Sequence, residues 1–142
     1  VMFNLLDSHD TERILWTANE DVQLVKSALA FLFLQKGTPC IYYGTELALT
    51  GGPDPDCRRC MPWERVSSDN DMLNFMKWLI KIRKHASATI LQGKYGLQEI
   101  KPIFNQSKED YLLEKEAVAL ASNCLELENQ LVISPKGFVI FH

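Results

Sequence analysis

The apolar pattern changes its period along the chain, and each change marks an element. Residues 2–6 (MFNLL) form a short, almost continuous apolar run that stops at Asp7-Ser8-His9-Asp10. A strand apolar on both faces suits a parallel sheet covered by helices. Asn19-Glu20-Asp21 then offers a capping residue and first-turn acids, and Val22, Val25, Leu29, Leu32 and Phe33 follow at helical spacing on one face. Gly37 is expected to close that helix in a left-handed conformation. Pro39-Cys40-Ile41-Tyr42-Tyr43-Gly44 reads as a second buried strand. Strand, helix, strand in this order is a βαβ unit, and such units build parallel sheets.

A loop rich in Gly, Pro and Asp occupies residues 51–63. Asp69-Asn70-Asp71 opens a second helix whose core-facing stripe is Leu73, Met76, Leu79, Ile80 and Arg83, and whose basic end (Lys81, Arg83, Lys84, His85) suits the helix dipole. From Gly93 the texture changes to short apolar runs at 100–104, 117–121, 131–133 and 138–141. Turn signals such as Asn105-Gln106-Ser107 and Ser134-Pro135-Lys136-Gly137 separate them. These runs predict a small antiparallel β module. The expected fold class is therefore α/β plus β, divided into residues 1–90 and 91–142, with the boundary near residues 87–93.

Composition narrows the function classes. The 142 residues are 46% hydrophobic and 23% charged, close to a globular average, which argues against disorder. The apolar stretch 28–34 is too short to span a membrane, and Lys26 and Lys36 bound it. A net charge of −3 without any Lys/Arg-rich run gives nucleic acid no electrostatic footprint. Cys40, Cys57, Cys60 and Cys124 lack the second pair or the histidines of a zinc site, so no metal or cofactor is expected, and the thiols read as free in a reducing cytoplasm. Val1 opens inside a strand-like run with no initiator Met, as expected of a piece of something longer.

Three segments carry a specific resemblance. Phe3-Asn4-Leu5-Leu6-Asp7-Ser8-His9-Asp10-Thr11-Glu12-Arg13 resembles the fourth conserved region of the alpha-amylase family. Gly37-Thr38-Pro39-Cys40-Ile41-Tyr42-Tyr43-Gly44-Thr45-Glu46 resembles the eighth strand of that family's barrel and the loop after it. Gly51-Gly52-Pro53-Asp54-Pro55-Asp56-Cys57-Arg58 is similar to the loop of the neopullulanase, cyclomaltodextrinase and maltogenic amylase branch. The ending Ser134-Pro135-Lys136-Gly137-Phe138-Val139-Ile140-Phe141 is similar to the last strand of the family's C-terminal domain. The family fold is a (β/α)8 barrel of about 250 residues with its active site at the C-terminal strand ends. The resemblance thus implies the last two βα units of a TIM barrel, followed by a small antiparallel β C-terminal domain.

The resemblance also implies chemistry. Retaining glycosidases flank the scissile bond with a nucleophile and a general acid about 5–5.5 Å apart. This family adds a third carboxylate, which Asp10 matches, with His9 beside it on the same sugar. A fixed negative charge near a developing cation favours the transition state over the ground state. Read without the resemblance, Asp10 only caps the turn starting at Thr11, and His9 is a satisfied core residue. Asp54 and Arg58 match an acid and base that grip a sugar on the non-reducing side; the plain alternative is a surface ion pair stiffening the loop. Cys57-x-x-Cys60 invites a redox reading, but no thioredoxin-like strand precedes it.

Two departures stand out. Thr45 replaces an acid common before the Glu of the eighth-strand loop, which bears on nearby sugar contacts, and little chain lies between Gly93 and Ile103 for the strands usual there. The resemblance implies an alpha-glucan oligosaccharide substrate, a parent that forms homodimers through an N-terminal domain, and a cytoplasmic location. The segments bearing the nucleophile and the acid match nothing in this chain, so the isolated chain is expected to be inactive. The alternatives are a non-catalytic module for sugar binding or interdomain packing, and part of a transglycosylase of the same family.

Overall fold

A computed structural model describes residues 2–35 and 37–84 with their side chains. It describes the backbone of residues 85–86 and of the strands at 101–104, 111–114, 118–126 and 130–141. The chain divides into two compact units, Val1–His85 and Ala86–His142.

In the first unit, β1 (Phe3–Asn4) pairs in parallel with β2 (Thr38–Pro39). The amides of Thr38 and Cys40 extend the ladder by donating to the carbonyls of Met2 and Asn4 at 2.8 and 2.7 Å. Between them lie α1 (Ile14–Thr17), a single turn the apolar pattern does not announce, and α2 (Val22–Leu34). Asn19 and Glu20 link the two helices with φ of +53° and +62°. Asp21 caps α2, its carboxylate accepting the Leu24 amide at 3.0 Å.

Helix α2 buries Val25, Leu29, Leu32 and Phe33, as its spacing predicts, together with Ala30, while Val22 is only half-buried. Lys26 is buried with them, its ammonium 2.6 Å from Asp71 and above the Phe75 ring. The helix stops at Leu34, before Gly37 is reached. Gly37 instead takes φ +104° at the entry to β2, where a Cβ would stand 2.7 Å from the Met2 carbonyl oxygen.

Helix α3 (Asp71–Ala86) begins as expected, the Leu73 amide donating to the Asn70 side chain at 2.8 Å. Its buried stripe is turned from the predicted one. Met72, Phe75, Met76 and Leu79 are buried, whereas Leu73 is half-buried and Ile80 is exposed. Leu73 and Ile80 line a cavity of about 320 Å³ with Ile41, Tyr43, Glu46, Met76 and Lys77. The inward position predicted for Arg83 has a polar reason: its guanidinium donates to the carbonyls of Phe33, Gln35 and Gly37, closing the end of α2. Each fully buried Leu or Val, such as Leu29, Leu79 and Val25, contributes about 1.5–3 kcal/mol.

The second unit is antiparallel. β3 (Lys101–Phe104) and β4 (Tyr111–Glu114) both pair with β6 (Gln130–Phe141), and β5 (Val118–Glu126) runs along it as well. β4 is absent from the predicted runs, and the predicted turn Ser134-Pro135-Lys136-Gly137 falls within β6. The turn residues still leave a trace. Ser122 faces Phe138 and Cys124 faces Ile133, so residues 134–137 stand opposite Asn123 alone, in a bulge. Pro135, with no N–H for a ladder, sits in that unpaired stretch. The predicted turn at Asn105-Gln106-Ser107 and the short stretch after Gly93 lie outside the described residues.

Candidate functional site

The chain leaving β1 carries Asp7 inward and His9 and Asp10 outward. Asp7 is buried, accepting the Thr45 hydroxyl at 3.0 and 3.2 Å and the Ile14 amide at 3.1 Å. It therefore caps α1, and Asp10 does not. Thr45 is buried as well, with its hydroxyl on Asp7. The turn between is tied internally: Ser8 N–H donates to the Thr11 hydroxyl at 2.9 Å and Asp10 N–H to the Ser8 hydroxyl at 3.1 Å.

This leaves the Asp10 carboxylate free to face solvent. The side chains of His9 and Asp10 are 62% and 71% exposed, so His9 is not a core histidine. Its Nε2 lies 3.1 Å from Asp10 Oδ2. The other Asp10 oxygen is 3.9 Å from an Arg58 Nη. Arg58 Nε is in turn 2.6 Å from Asp54 Oδ1. All four residues singled out in the sequence thus meet in one continuous polar chain, His9–Asp10–Arg58–Asp54. The guanidinium holds its proton more tightly than usual, first through the Asp54 charge.

The loop supplying Asp54 and Arg58 is fixed by its own backbone. Gly51 is buried where a Cβ would meet the Asp56 carbonyl oxygen at 2.5 Å, so only glycine lets the loop fold back so closely. Asp56 accepts the Gly52 amide at 2.7 Å and both arms of the Arg59 fork at 2.7 and 2.8 Å. The Asp54–Pro55 bond is cis. Tyr43 reaches across, its hydroxyl donating to the Arg59 carbonyl at 2.7 Å. Cys40, Cys57 and Cys60 are free thiols, with Cys57 fully buried and its sulfur 3.6 Å from the His9 carbonyl oxygen. Cys124 lies on β5. Among the described residues there is no His/Cys/Asp/Glu group that could hold a metal ion, and no helix is long and apolar enough to cross a membrane.

Two supporting residues, Asp7 and Arg13, carry no distinguishing signal in the sequence. Asp7 follows an apolar strand as one acid of a polar cluster, and only its neighbour Thr45, far along the chain, reveals that it points inward. Arg13 looks like any surface base in sequence, yet its side chain is 0% exposed.

Comparison with known proteins decides the family. Residues 1–82 match the family described as alpha amylase, catalytic domain. The chain belongs to the alpha-amylase family. It is 53% identical over 93 residues to the intracellular maltogenic amylase of Bacillus subtilis (strain 168), an alignment covering 66% of this chain and 16% of that protein. It is 48% identical over 95 residues to a cyclomaltodextrinase of a Bacillus species, covering 67% of this chain and 17% of the relative. It is 42% identical over 92 residues to neopullulanase 2 of Thermoactinomyces vulgaris, covering 65% and 16%. The chain thus spans about a sixth of the length of these relatives. Among solved structures, a cyclomaltodextrinase superposes with a TM-score of 0.71 at 31% identity, over 99% of this chain and 29% of that one. The maltogenic amylase of S. marinus gives 0.74 at 30% identity, over 96% and 22%.

Proposed function

We propose that this chain forms the last two βα units of an alpha-amylase-family (β/α)8 barrel and the antiparallel β domain that follows, divided into residues 1–90 and 91–142. Its parent is a retaining alpha-glucan hydrolase of the neopullulanase and cyclomaltodextrinase type. It acts in the cytoplasm on alpha-1,4 links of maltooligosaccharides, cyclodextrins or pullulan, without a cofactor, and as a homodimer. Asp10 is the transition-state-stabilising carboxylate, His9 hydrogen-bonds the same sugar, and Asp54 and Arg58 grip the sugar on the non-reducing side.

The observation that carries this reading is the exposed His9–Asp10–Arg58–Asp54 chain at the end of the parallel strand pair. Buried Asp7 anchors the segment that carries His9 and Asp10 by accepting the Ile14 amide and the Thr45 hydroxyl, and the Asp10 carboxylate performs no capping task that would explain it. Such an array offers two acceptors and a planar donor set to a sugar's hydroxyls. A fixed carboxylate there also stabilises an oxocarbenium-like transition state.

The test is reducing-sugar release from beta-cyclodextrin and pullulan. The purified chain should give a flat trace beside an active Bacillus subtilis relative. With this chain replacing the matching segment of that relative, activity should be present and should fall at least about a hundredfold in Asp10→Asn. Release by the isolated chain that vanishes in Asp10→Asn would mean these residues hold the whole catalytic apparatus, and the roles assigned here would be wrong. Full activity of the Asp10→Asn chimera would remove Asp10 from catalysis.

A further inference from the structure

Arg13 is the one fully buried cation of the first unit's described residues with no acid beside it. Its guanidinium spends its donors on main-chain oxygens: Nε donates to the Cys57 carbonyl at 2.6 Å and Nη1 to the Tyr43 carbonyl at 2.5 Å. The cation lies over two ring faces, 4.0 Å from the Tyr42 centroid and 4.6 Å from that of Tyr43. Its own amide donates to the Gly51 carbonyl at 2.9 Å. One residue therefore joins three segments that are remote in sequence: the turn bearing His9 and Asp10, the end of the β2 segment, and the loop bearing Asp54 and Arg58.

The choice of an arginine here has a cost as well as these contacts. An unpaired buried charge is expensive to desolvate, and here Nη2 is left with no hydrogen-bond partner. An apolar side chain would avoid that penalty but would leave the Cys57 and Tyr43 carbonyls without these donors. What the guanidinium offers instead is a rigid fork that fixes the distance between two carbonyls. One of them belongs to Cys57, the residue before Arg58, whose sulfur also touches the His9 carbonyl.

We propose that Arg13 is a positioning residue that sets the Asp54–Arg58 loop against Asp10 for sugar binding. The proposal rests on the sugar-gripping role given to Asp54 and Arg58 above. Because Asp10 is held separately by Ser8 and Arg58 hangs on the Cys57 carbonyl, losing Arg13 should weaken substrate capture more than turnover.

Two measurements test this. In the present chain, thiol alkylation mapped by mass spectrometry should find Cys57 protected in the wild type and Cys60 reactive. Arg13→Met should speed modification of Cys57 at least about tenfold and leave Cys60 unchanged. Should that variant fail to fold, Arg13→Lys decides, since one ammonium cannot hold both carbonyls in a fixed fork and Cys57 should again be opened. A folded variant with Cys57 as protected as before overturns the proposal. In the chimera with the Bacillus subtilis relative, Arg13→Met should raise KM for beta-cyclodextrin at least about tenfold with kcat within about threefold. Adding Arg58→Ala should then cost little more, because both changes disable the same grip. A fall in kcat at unchanged KM, or additive effects, marks a merely structural residue and overturns the proposal. An unchanged KM in Arg58→Ala alone sinks the sugar grip itself, whatever Cys57 reports about Arg13.

Discussion

Asp56 and Arg59 show how single residues hold the site's loop. The Asp56 carboxyl is kept below the ordinary carboxylate range, first by the Arg59 fork and then by the Gly52 amide. The folded loop therefore binds this proton less readily than the unfolded chain does. The stabilisation is complete above the unfolded value and is lost as pH falls through the folded one. Asp56→Asn should accordingly lower the midpoint of thermal unfolding at neutral pH. The gap to wild type should close on acidification below the ordinary aspartate range. A gap constant with pH would show that the Asp56 charge does not matter to the loop. At this scale the outward residues were the legible ones: His9, Asp10, Asp54 and Arg58 sit in recognisable strings, and all four converge. Asp7 and Arg13 were not legible, because inward direction depends on partners such as Thr45, Tyr43 and Cys57, which lie 30 or more residues away.

The elements show where periodicity is enough and where it is not. The buried face of α2 follows its spacing, whereas the stripe of α3 is rotated toward Met72 and Phe75. The sequence of α3 has apolar residues around most of its circumference, so several stripes fit it. On the stripe that is buried, Lys26 from α2 meets Asp71 and Phe75. β6 misleads for a different reason: Ser-Pro-Lys-Gly reads as a turn, but the partner strand accommodates it as a bulge without reversing direction. The rotation of α3 has a measurable consequence. Leu79→Ala, at a position 1% exposed, should destabilise the chain by about 2–5 kcal/mol. Ile80→Ala, at 41% exposed, should cost about 1 kcal/mol or less. Urea denaturation of both variants compares the two, and equal losses would mean that Ile80 shares the core after all.

For the whole molecule, the first unit exposes apolar surface that a barrel would cover. Met2, Phe3 and Leu5 around β1, Phe31 on α2, and Trp78 and Ile80 on α3 all face solvent. β1 and β2 pair with each other, and among the described residues no further strand of that unit flanks either edge. In a closed barrel every strand has two neighbours, and its two faces are covered by helices and by barrel-filling side chains. Unpaired edges beside apolar side chains are templates for association. The purified chain should therefore self-associate, its apparent mass by light scattering falling over a roughly hundredfold dilution series. Placing a charge in the exposed β1 run, as in Phe3→Glu, should shift the distribution toward monomer, because a carboxylate at an edge cannot be buried against a second edge without a partner. Phe3 is 70% exposed, so the substitution removes little from the core of the single chain, and a lower mass cannot be ascribed to unfolding if the thermal midpoint is kept. A wild-type chain that stays monomeric throughout the series would mean that this surface is tolerated in water and that the open edges of β1 and β2 do not pair with those of a second copy.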